Sequence, residues 1–268
     1  MSIALIIPAR YGSTRFPGKP LAEIGGRSML SRVVAVARKA AKGHDGIRIA
    51  VATEDERIQR HCEDDVGVTC IMTSDNCRTG SDRIKEAAEA LSPAPDFVIN
   101  IQGDVPFTPP LVVKAMISAY KTSPDAQVIS PCHQLTWDEL DNLRERKKHT
   151  PFSGTTVTFD KSKKALWFSK NIIPSIRKED EMRKTDTHSP VWRHIGIYGY
   201  RTDILQKFVK MPSGYYESLE GLEQLRFLEN DISIQMVPVE VDAGIIHSGI
   251  DSPEDLAHAK DILAQQAG

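Results

Sequence analysis

Residues 2–21, SIALIIPARYGSTRFPGKPL, join a short apolar run to a loop rich in cations, glycine and proline. The apolar run is short and rich in β-branched residues, which indicates a buried strand in a sheet that is covered on both faces. Arg10, Arg15 and Lys19 follow within eleven residues of the strand end at Pro8. A strand that runs into such a loop predicts a ligand site at the carboxyl end of a sheet.

Three further apolar runs have the same character, and they are IRIAVAT (47–53), VTCIMT (68–73) and DFVINIQGD (96–104). Helical patterns lie between or after them, at residues 28–42, 82–91 and 110–121. Ser28 is a suitable N-cap for the first helix, and Gly43 a suitable stop. Strands that alternate with helices predict an α/β fold with a doubly wound, mainly parallel sheet.

The alternation ends after about residue 131. The segments 153–160, 164–169 and 194–201 are typical of strands in a mixed or antiparallel layer, and the charged stretch 177–188 is typical of a solvated, mobile loop. Residues 214–231 predict one amphipathic helix, residues 232–241 a strand, and residues 252–266 a final helix. We therefore expect one domain over residues 1–268, with an embedded mixed-sheet subdomain at about 131–215.

Composition excludes several classes of function. The chain has 268 residues and a formal net charge of −2, which gives no general attraction for nucleic acid or anionic lipid. It contains no apolar stretch long enough to span a membrane, and its first apolar run lacks the features of an export signal, so we expect a cytoplasmic protein. The four cysteines show no zinc-site or disulfide spacing and are expected to be reduced thiols.

The loop after the first strand is chemically suited to a nucleoside triphosphate, because cations and backbone amides neutralise and bind phosphate. It is not a P-loop, since five residues separate Gly12 from Gly18 and Pro20 follows Lys19. No dinucleotide-binding glycine pattern follows the strand either. The alternative is that Arg10 and Arg15 are ordinary surface ion-pair partners.

Two aspartates stand where a carboxylate can reach such a site. Asp104 ends the strand VINIQGD, and Asp251 immediately precedes the last predicted helix. Hard carboxylate oxygens suit Mg²⁺, which binds them together with substrate phosphates. Taken alone, Asp251 is more often a helix-start carboxylate than a metal ligand.

The segment IPARYGSTRFPGKPL resembles the signature loop of the sugar nucleotidyltransferases, and specifically of the CMP-Kdo synthetases (3-deoxy-manno-octulosonate cytidylyltransferases). Six later blocks resemble that family in the same order: ATEDERI, RTGSDRIKEA, VINIQGDVPF, HIGIYGYR, LEGLEQLRFLE and GIDSPEDLAHAK. The CMP-sialic acid synthetases share the fold and the early loop, but they are not expected to share HIGIYGYR or LEQLR. The resemblance implies a Rossmann-like, nucleotide-diphospho-sugar transferase-like fold.

The resemblance also implies an activity. Such an enzyme joins CTP to the 2-keto-3-deoxy sugar acid Kdo for lipopolysaccharide biosynthesis and releases pyrophosphate, with Mg²⁺ bound by Asp104 and Asp251. It implies a homodimer built through the second half of the chain. Lys19, Asp104 and Arg15 are the expected catalytic residues, with Lys19 stabilising charge on the α-phosphate.

The binding residues follow from the matched blocks. Those expected to bind the nucleotide are Pro8, Ala9, Arg10, Ser13, Arg15, Lys19, Arg78, Gly80, Ser81 and Gln102. Those expected to bind the sugar acid are Gln102, His194, Tyr198, Glu223 and Gln224.

The central part of the chain departs from the family pattern. It has PFSGTTVTFD at 151–160, WFSK at 167–170, and His247 near the late aspartate. These changes fall in or near the expected sugar half of the site, so they leave the sugar acceptor open more than the nucleotide. The alternatives are Kdo, its 8-amino-3,8-dideoxy analogue, a sialic acid-type substrate, or a nucleotide-binding module without turnover.

Overall fold

The computed structural model describes residues 1–12, 16–241, 249–250 and 252–267, excluding the side chains of residues 258, 262 and 264–267. Two compact units make up the chain. Unit 1 comprises Met1–Lys114, Arg201–Val209 and Ile245–Gly268, and unit 2 comprises Ala115–Tyr200 and Lys210–Gly244. The predicted single domain with a subdomain at about 131–215 stays a prediction.

Regular structure occupies both units. The strands are β1 (Ile3–Pro8), β2 (Glu23–Ile24), β3 (Arg27–Ser28), β4 (Ile47–Thr53), β5 (Thr69–Met72), β6 (Phe97–Asn100), β7 (Val128–Thr136), β8 (Thr156–Phe159), β9 (Ala165–Ser169), β10 (His188–His194), β11 (Tyr198–Arg201) and β12 (Ile234–Pro238). The helices are α1 (Met29–Ala41), α2 (Glu56–Arg60), α3 (Gly80–Ala90), α4 (Pro110–Thr122), α5 (Trp137–His149), α6 (Glu179–Thr185), α7 (Thr202–Phe208), α8 (Tyr215–Glu220), α9 (Leu225–Glu229) and α10 (Pro253–Ala267). The described residues also form a 3₁₀ turn at Lys19–Leu21 and a π-helical turn at His61–Val66.

Unit 1 is built on a parallel sheet in the order β5-β4-β1-β6. Ile3 pairs with Ile47 on one side and with Phe97 on the other, and most of β1 and all of β6 are buried. Parallel strands must be joined by crossover connections, which are usually helices. These helices cover both faces of the sheet, so β1 and β6 are apolar along their length. The predicted α/β class with a mainly parallel sheet is confirmed for this unit.

The helix ends of unit 1 follow the local sequence. The Ser28 side chain accepts a hydrogen bond from the Ser31 amide at 3.0 Å and so caps α1, as predicted. Gly43 follows the helix with φ +85°, a conformation that glycine adopts without steric cost. A small cluster of Ile24, Met29 and Ile250 packs with α10.

Unit 2 contains a mixed sheet in the order β11-β7-β10-β8-β9, and β12 also pairs with β7. Neighbouring strands are antiparallel except for the parallel β7–β12 pair. Strands at 153–160, 164–169 and 194–201 were predicted, and β8, β9 and β11 lie within those ranges. The prediction of a mixed or antiparallel layer is therefore confirmed.

The expectation of a solvated, mobile loop at residues 177–188 is wrong, because this stretch contains α6. Glu179 accepts hydrogen bonds from Arg144 at 2.7 Å and from Arg183 at 2.7 Å, and these bonds lower the pKa of Glu179 to about 2. Met182 packs against the cluster formed by Trp137 and its apolar neighbours. The charged residues of this stretch form ion pairs with residues of α5. Those partners lie far away in the sequence, so the stretch alone does not indicate them.

The single amphipathic helix predicted at residues 214–231 is also wrong. It is divided into α8 and α9 at Gly221, which has φ +61° and ends α8 in the left-handed region. Leu219, an apolar residue of the predicted helix, is 66% exposed, whereas Leu225 is buried. The glycine ends the first helix and redirects the chain.

Two of the exclusions drawn from composition can be compared with the structure. None of the helices in the described part of the chain is long and apolar enough to cross a bilayer. All four cysteines are free thiols, as predicted, and three of them are buried.

Candidate active site

A cleft of about 400 Å³ opens in unit 1 where β1 and β6 end and α3 begins. The eight predicted residues that line it are Pro8, Ala9, Arg10, Lys19, Arg78, Gly80, Gln102 and Asp104. Ligand sites in parallel α/β sheets lie outside the carboxyl ends of the strands, and helix N-termini bind anions. The position of the cleft and its cations therefore suit a phosphorylated ligand.

Close approach of two backbones shapes the floor of the cleft. A Cβ atom at Gly103 would lie 2.6 Å from the carbonyl oxygen of Pro8, so only glycine fits between the ends of β1 and β6. The Ala9 amide donates to the Ala52 carbonyl at 2.9 Å, which continues the sheet by one residue beyond β1. The backbone entering the cationic loop is thus fixed from both sides.

The cationic loop after β1 is held in place by contacts of Tyr11. The Arg57 guanidinium lies 3.3 Å from the centroid of the Tyr11 ring, and Asp55 binds that guanidinium with both carboxylate oxygens. The Gly18 amide donates to the Tyr11 carbonyl at 3.0 Å, and Gly18 has φ +72°. This turn places Lys19 at the start of the 3₁₀ turn, beside the cleft.

An ion pair joins the two predicted catalytic residues that the structure describes. Lys19 Nζ lies 2.9 Å from Asp104 Oδ2, with side-chain exposures of 16% and 29%. A Cβ atom at Gly249 would lie 3.2 Å from Asp104 Cγ, so the backbone of residue 249 closes one side of the carboxylate. The pair can neutralise phosphate charge through Lys19 while Asp104 keeps an oxygen available.

The donor chemistry fits Mg²⁺. Asp104 offers hard carboxylate oxygens in a cleft that also suits phosphates, and Mg²⁺ usually takes one or two protein carboxylates together with substrate oxygens. In the described ranges, no cluster of three or more His, Cys, Asp or Glu residues could hold a metal by itself. The predicted second ligand, Asp251, lies outside the described residues, as do Ser13, Arg15 and His247.

The N-terminus of α3 forms another wall. Thr79 caps this helix in a capping box with Asp82, whose carboxylate accepts hydrogen bonds from the Arg78 and Thr79 amides at 3.1 and 2.9 Å. The cap fixes the backbone of Arg78, an exposed residue that lines the cleft. Ser81, predicted to bind the nucleotide, is 5% exposed and does not line the cleft.

Sequence reasoning missed Arg83 and Cys77, which also line the cleft. Arg83 is 3% exposed, donates a hydrogen bond to the Thr73 hydroxyl at 2.5 Å and forms an ion pair with Glu54 at 2.8 Å, so it is a buried support of the wall. Burial and a hydrogen bond to Glu86 raise the pKa of Cys77 to about 11, which keeps the thiol protonated. The block RTGSDR contained Arg83, but nothing in it distinguishes a buried arginine from a ligand-binding one.

The predicted sugar residues other than Gln102 lie in unit 2, and His194 is the best defined of them. It is 8% exposed, and its Nε2 lies 2.8 Å from the Ser130 hydroxyl, which donates its proton to the Ile197 carbonyl at 2.9 Å. His194 must therefore donate through Nε2, which assigns the tautomer. Burial, with a smaller effect of the Lys170 charge, lowers the pKa of His194 to about 3, so the ring is neutral.

Tyr198 and Gln224 accompany His194. The Tyr198 ring centroid lies 5.3 Å from that of His194, and burial raises the pKa of Tyr198 well above its ordinary value, with smaller effects of Tyr200 and Glu223. Gln224 is 4% exposed, and its Nε2 has no hydrogen-bond partner among the residues that the structure describes. A buried amide donor without a partner is costly and is expected to bind a ligand or water.

Comparison with known proteins decides the family. A family model described as cytidylyltransferase matches residues 4–234. The 3-deoxy-manno-octulosonate cytidylyltransferase of Maricaulis maris is 41% identical over 266 residues, covering 99% of this chain and 98% of that protein. The protein with the same name from Anaeromyxobacter dehalogenans (strain 2CP-1) is 38% identical, covering 99% of each. The chain belongs to the 3-deoxy-manno-octulosonate cytidylyltransferase, or CMP-Kdo synthetase, family.

Solved structures agree with this membership. A CMP:2-keto-3-deoxy-manno-octonic acid synthetase, solved in complex with CTP, matches with a TM-score of 0.81 and 30% identity, over 99% of this chain and 100% of that one. The 4-diphosphocytidyl-2C-methyl-D-erythritol synthase of Anaerococcus prevotii matches with a TM-score of 0.58 and 15% identity, over 98% of each chain, which shows the shared fold alone. The predicted family and fold class are both confirmed.

Proposed function

We propose that this CMP-Kdo synthetase family member transfers the cytidylyl group of CTP to Kdo, giving CMP-Kdo and pyrophosphate. The observation that carries the proposal is the cleft of unit 1, where the Lys19–Asp104 pair lies beside the α3 N-terminus. Support comes from the family relative that was solved in complex with CTP. Pro8, Ala9, Arg10, Ser13, Arg15, Lys19, Arg78, Gly80 and Gln102 are the proposed nucleotide contacts, and Ser81 is left out because it is buried and does not line the cleft.

The reaction requires no protein nucleophile. The anomeric hydroxyl oxygen of the sugar acid forms a bond to the α-phosphorus of CTP, the bond from that phosphorus to the bridging oxygen breaks, and the hydroxyl proton passes to solvent. Pyrophosphate leaves with the bridging oxygen. The chain has to hold the two reactants in line and neutralise the charge that develops on the phosphates.

Residues of the cleft are placed for those tasks. Lys19 donates to a phosphate oxygen and stabilises the transition state, and Arg10 and Arg15 neutralise further phosphate charge. Asp104 and Asp251 would hold Mg²⁺, which supplies additional charge neutralisation at the phosphates when it is bound. Because Asp104 already pairs with Lys19 at 2.9 Å, the ammonium and the carboxylate are preorganised before CTP enters.

The acceptor is assigned by its chemistry. His194, Tyr198, Glu223 and Gln224, all of unit 2, are the proposed contacts of the sugar acid. The unpartnered Nε2 of Gln224 supports a ligand rich in oxygen atoms. Kdo is the first candidate, and its 8-amino-3,8-dideoxy analogue is the second, favoured by the departures at 151–160 and 167–170.

Pyrophosphate release from CTP, Mg²⁺ and each sugar acid tests the proposal. Release with Kdo and CMP-Kdo formation are expected. Release with N-acetylneuraminate alone would instead indicate a CMP-sialic acid synthetase, and no release with any sugar acid would indicate a binding module. If kcat/KM for Kdo exceeds that for the 8-amino analogue by tenfold or more, the amino sugar is excluded as the substrate.

Replacing Asp104 gives a sharper test of the cleft. We expect Asp104→Asn to lower kcat by about 10²–10³, by analogy with the loss of one preorganised electrostatic group. The unfolding midpoint should stay near that of the wild type, since asparagine has the same shape. Asp75→Asn, an exposed carboxylate of the same unit, is the control. Near-normal turnover of Asp104→Asn across a Mg²⁺ titration would refute its metal role.

The same proposal extends to assembly and cellular role. A homodimer, a cytoplasmic location and supply of CMP-Kdo to lipopolysaccharide biosynthesis are the expected context of this activity. Light scattering coupled to gel filtration tests the dimer, and a mass of about twice 29.8 kDa is expected. A mass of one chain at assay concentration would contradict it.

A further inference from the structure

The block ATEDERI at residues 52–58 supplies none of the proposed contacts of CTP or of the sugar acid. Its first two residues end β4, and the rest of the block follows that strand. Because β4 is the parallel neighbour of β1, the two strands end at the same edge of the sheet. Glu54 and Arg57 both contact Tyr11, which lies in the cationic loop after β1. The block is therefore in a position to act on the loop.

Glu54 holds the backbone of Tyr11. Its Oε1 accepts a hydrogen bond from the Tyr11 amide at 3.3 Å, and its Oε2 lies 2.8 Å from Nη1 of Arg83. Both side chains of this ion pair are largely buried, and Arg83 is further held by its hydrogen bond to the Thr73 hydroxyl. Buried ion pairs are screened little by salt, so Glu54 is a firm support for the main chain of the loop.

Arg57 and Asp55 hold the ring of the same tyrosine. The Arg57 guanidinium carbon lies 3.3 Å from the Tyr11 ring centroid, well within the range at which an aromatic face attracts a cation. Asp55 Oδ1 accepts from Arg57 Nε at 2.9 Å and Oδ2 accepts from Nη2 at 2.6 Å, which orients the guanidinium plane. The hydrogen bonds from Arg57 lower the pKa of Asp55, so this carboxylate stays charged.

Tyr11 closes the base of the loop. Its carbonyl accepts a hydrogen bond from the Gly18 amide at 3.0 Å, and a Cβ atom at Gly18 would lie 3.2 Å from the Tyr11 hydroxyl oxygen. Within the described part of the chain, Arg10 and Gly12 line the cleft on either side of Tyr11, whereas Tyr11 itself does not. The tyrosine can therefore influence a ligand in the cleft only through the residues beside it.

We propose that Arg57, oriented by Asp55, is a positioning residue for the triphosphate of CTP. It holds the Tyr11 ring in place before the ligand enters. The two cations next to the loop closure, Arg10 and Lys19, line the cleft and are fixed by the same contact. Groups that are ordered in advance bind a ligand more tightly, because less conformational entropy is lost on binding. This role rests on the proposed function and deepens it, since it assigns the block ATEDERI to nucleotide binding.

Calorimetric titration with CTP and Mg²⁺, without a sugar acid, measures the effect independently of turnover. We expect Arg57→Ala to raise the Kd of CTP at least fivefold. The fold should persist, because the Arg57 side chain is 54% exposed. Arg60→Ala is the matched control, since it removes the same charge from an exposed position of the same helix, and it should change Kd less than twofold. Equal Kd values for the two variants would reduce Arg57 to a remote charge and overturn the inference.

Asp55→Asn separates positioning from net charge. Asparagine is still a good N-cap for α2, but it has one acceptor oxygen and cannot bind both nitrogens of the Arg57 guanidinium. Removal of a negative charge near a triphosphate would by itself lower the Kd of CTP. Loss of the oriented guanidinium is expected instead to raise it about threefold. A lowered or unchanged Kd in Asp55→Asn would contradict the positioning role.

A double-mutant cycle shows whether the effect passes through the ring. Once Tyr11→Leu has removed the ring, adding Arg57→Ala should weaken CTP binding by less than a further twofold, because residues that act through one contact are not additive. Fully additive losses would overturn the inference. A wild type that binds no CTP in the same titration refutes the proposed function instead.

Discussion

His194 shows how one buried side chain can link stability to pH. The ring is 8% exposed, and as a neutral donor it bonds to Ser130, while burial holds its pKa at about 3. In the unfolded chain a histidine has a pKa of about 6.5. The folded pKa is depressed, so between these two values the unfolded state binds more protons. The contribution to stability is complete above pH 6.5 and is lost progressively as the pH falls toward 3.

We expect His194 to account for a loss of about 2 kcal/mol in the free energy of unfolding between pH 7 and pH 5. His194→Gln keeps an amide donor for Ser130 and cannot titrate, so it should be less stable than the wild type at pH 7, with a difference that shrinks or reverses at pH 5. Urea unfolding at the two pH values measures this. His149→Gln, at an exposed position, should follow the wild type at both. A constant difference between His194→Gln and wild type would contradict the assigned protonation state.

At the scale of elements, two helices share the same start but not the same surroundings. Thr79 caps α3 with Asp82, and Thr136 caps α5 with Glu139, each in a complete capping box. The α3 box lies at the cleft of unit 1, where it orders the backbone of Arg78, whereas Thr136 and Glu139 belong to unit 2. Comparing Thr79 with Thr136 therefore separates the contribution of an N-cap to stability from its contribution to ligand binding.

We expect Thr79→Ala and Thr136→Ala each to lower the free energy of unfolding by about 1 kcal/mol, since each loses an N-cap. Thr79→Ala alone should also raise KM for CTP, by about threefold to tenfold, because the end of α3 that faces the phosphates frays. Denaturant unfolding and kinetics with varied CTP measure the two effects. Equal KM values for CTP in both variants would show that the α3 N-terminus does not contact the nucleotide.

The elements also show why the sequence predicted some structure and missed the rest. Strands β1, β4 and β6 were predictable because a strand buried on both faces must be apolar along its length. Helix α6 was not, because its stability depends on ion pairs from Glu179 to Arg144 and Arg183, and Arg144 lies 35 residues earlier. The division at Gly221 was missed because a glycine within an amphipathic pattern is tolerated in many helices.

At the scale of the whole molecule, the candidate site was predictable to the extent that its residues are contiguous. Most of the proposed nucleotide contacts lie in short blocks after strand ends, where the sheet topology fixes where they meet. Contacts between distant segments could not be predicted in the same way. Lys147 Nζ donates to the Lys170 carbonyl at 2.5 Å across 23 residues, yet in the sequence the lysine of a charged helix end resembles any solvated lysine. This contact depends on β8 and β9 turning back toward the end of α5.

The proposed contacts of CTP lie in unit 1 and those of the sugar acid in unit 2, and this assignment has a direct consequence for hydrogen exchange. A ligand that binds only the native state opposes local opening of its site by RT ln(1 + [L]/Kd), or about 2.7 kcal/mol at a hundredfold excess over Kd. CTP alone should therefore slow exchange at residues 8–10, 19–21 and 102–104, which line or adjoin the cleft of unit 1. Amides at 194–198 and 222–225 in unit 2 should slow only when Kdo is added. Exchange followed by mass spectrometry measures both effects, and equal protection of the unit 2 segments by CTP alone would contradict the assignment of the sugar acid to them.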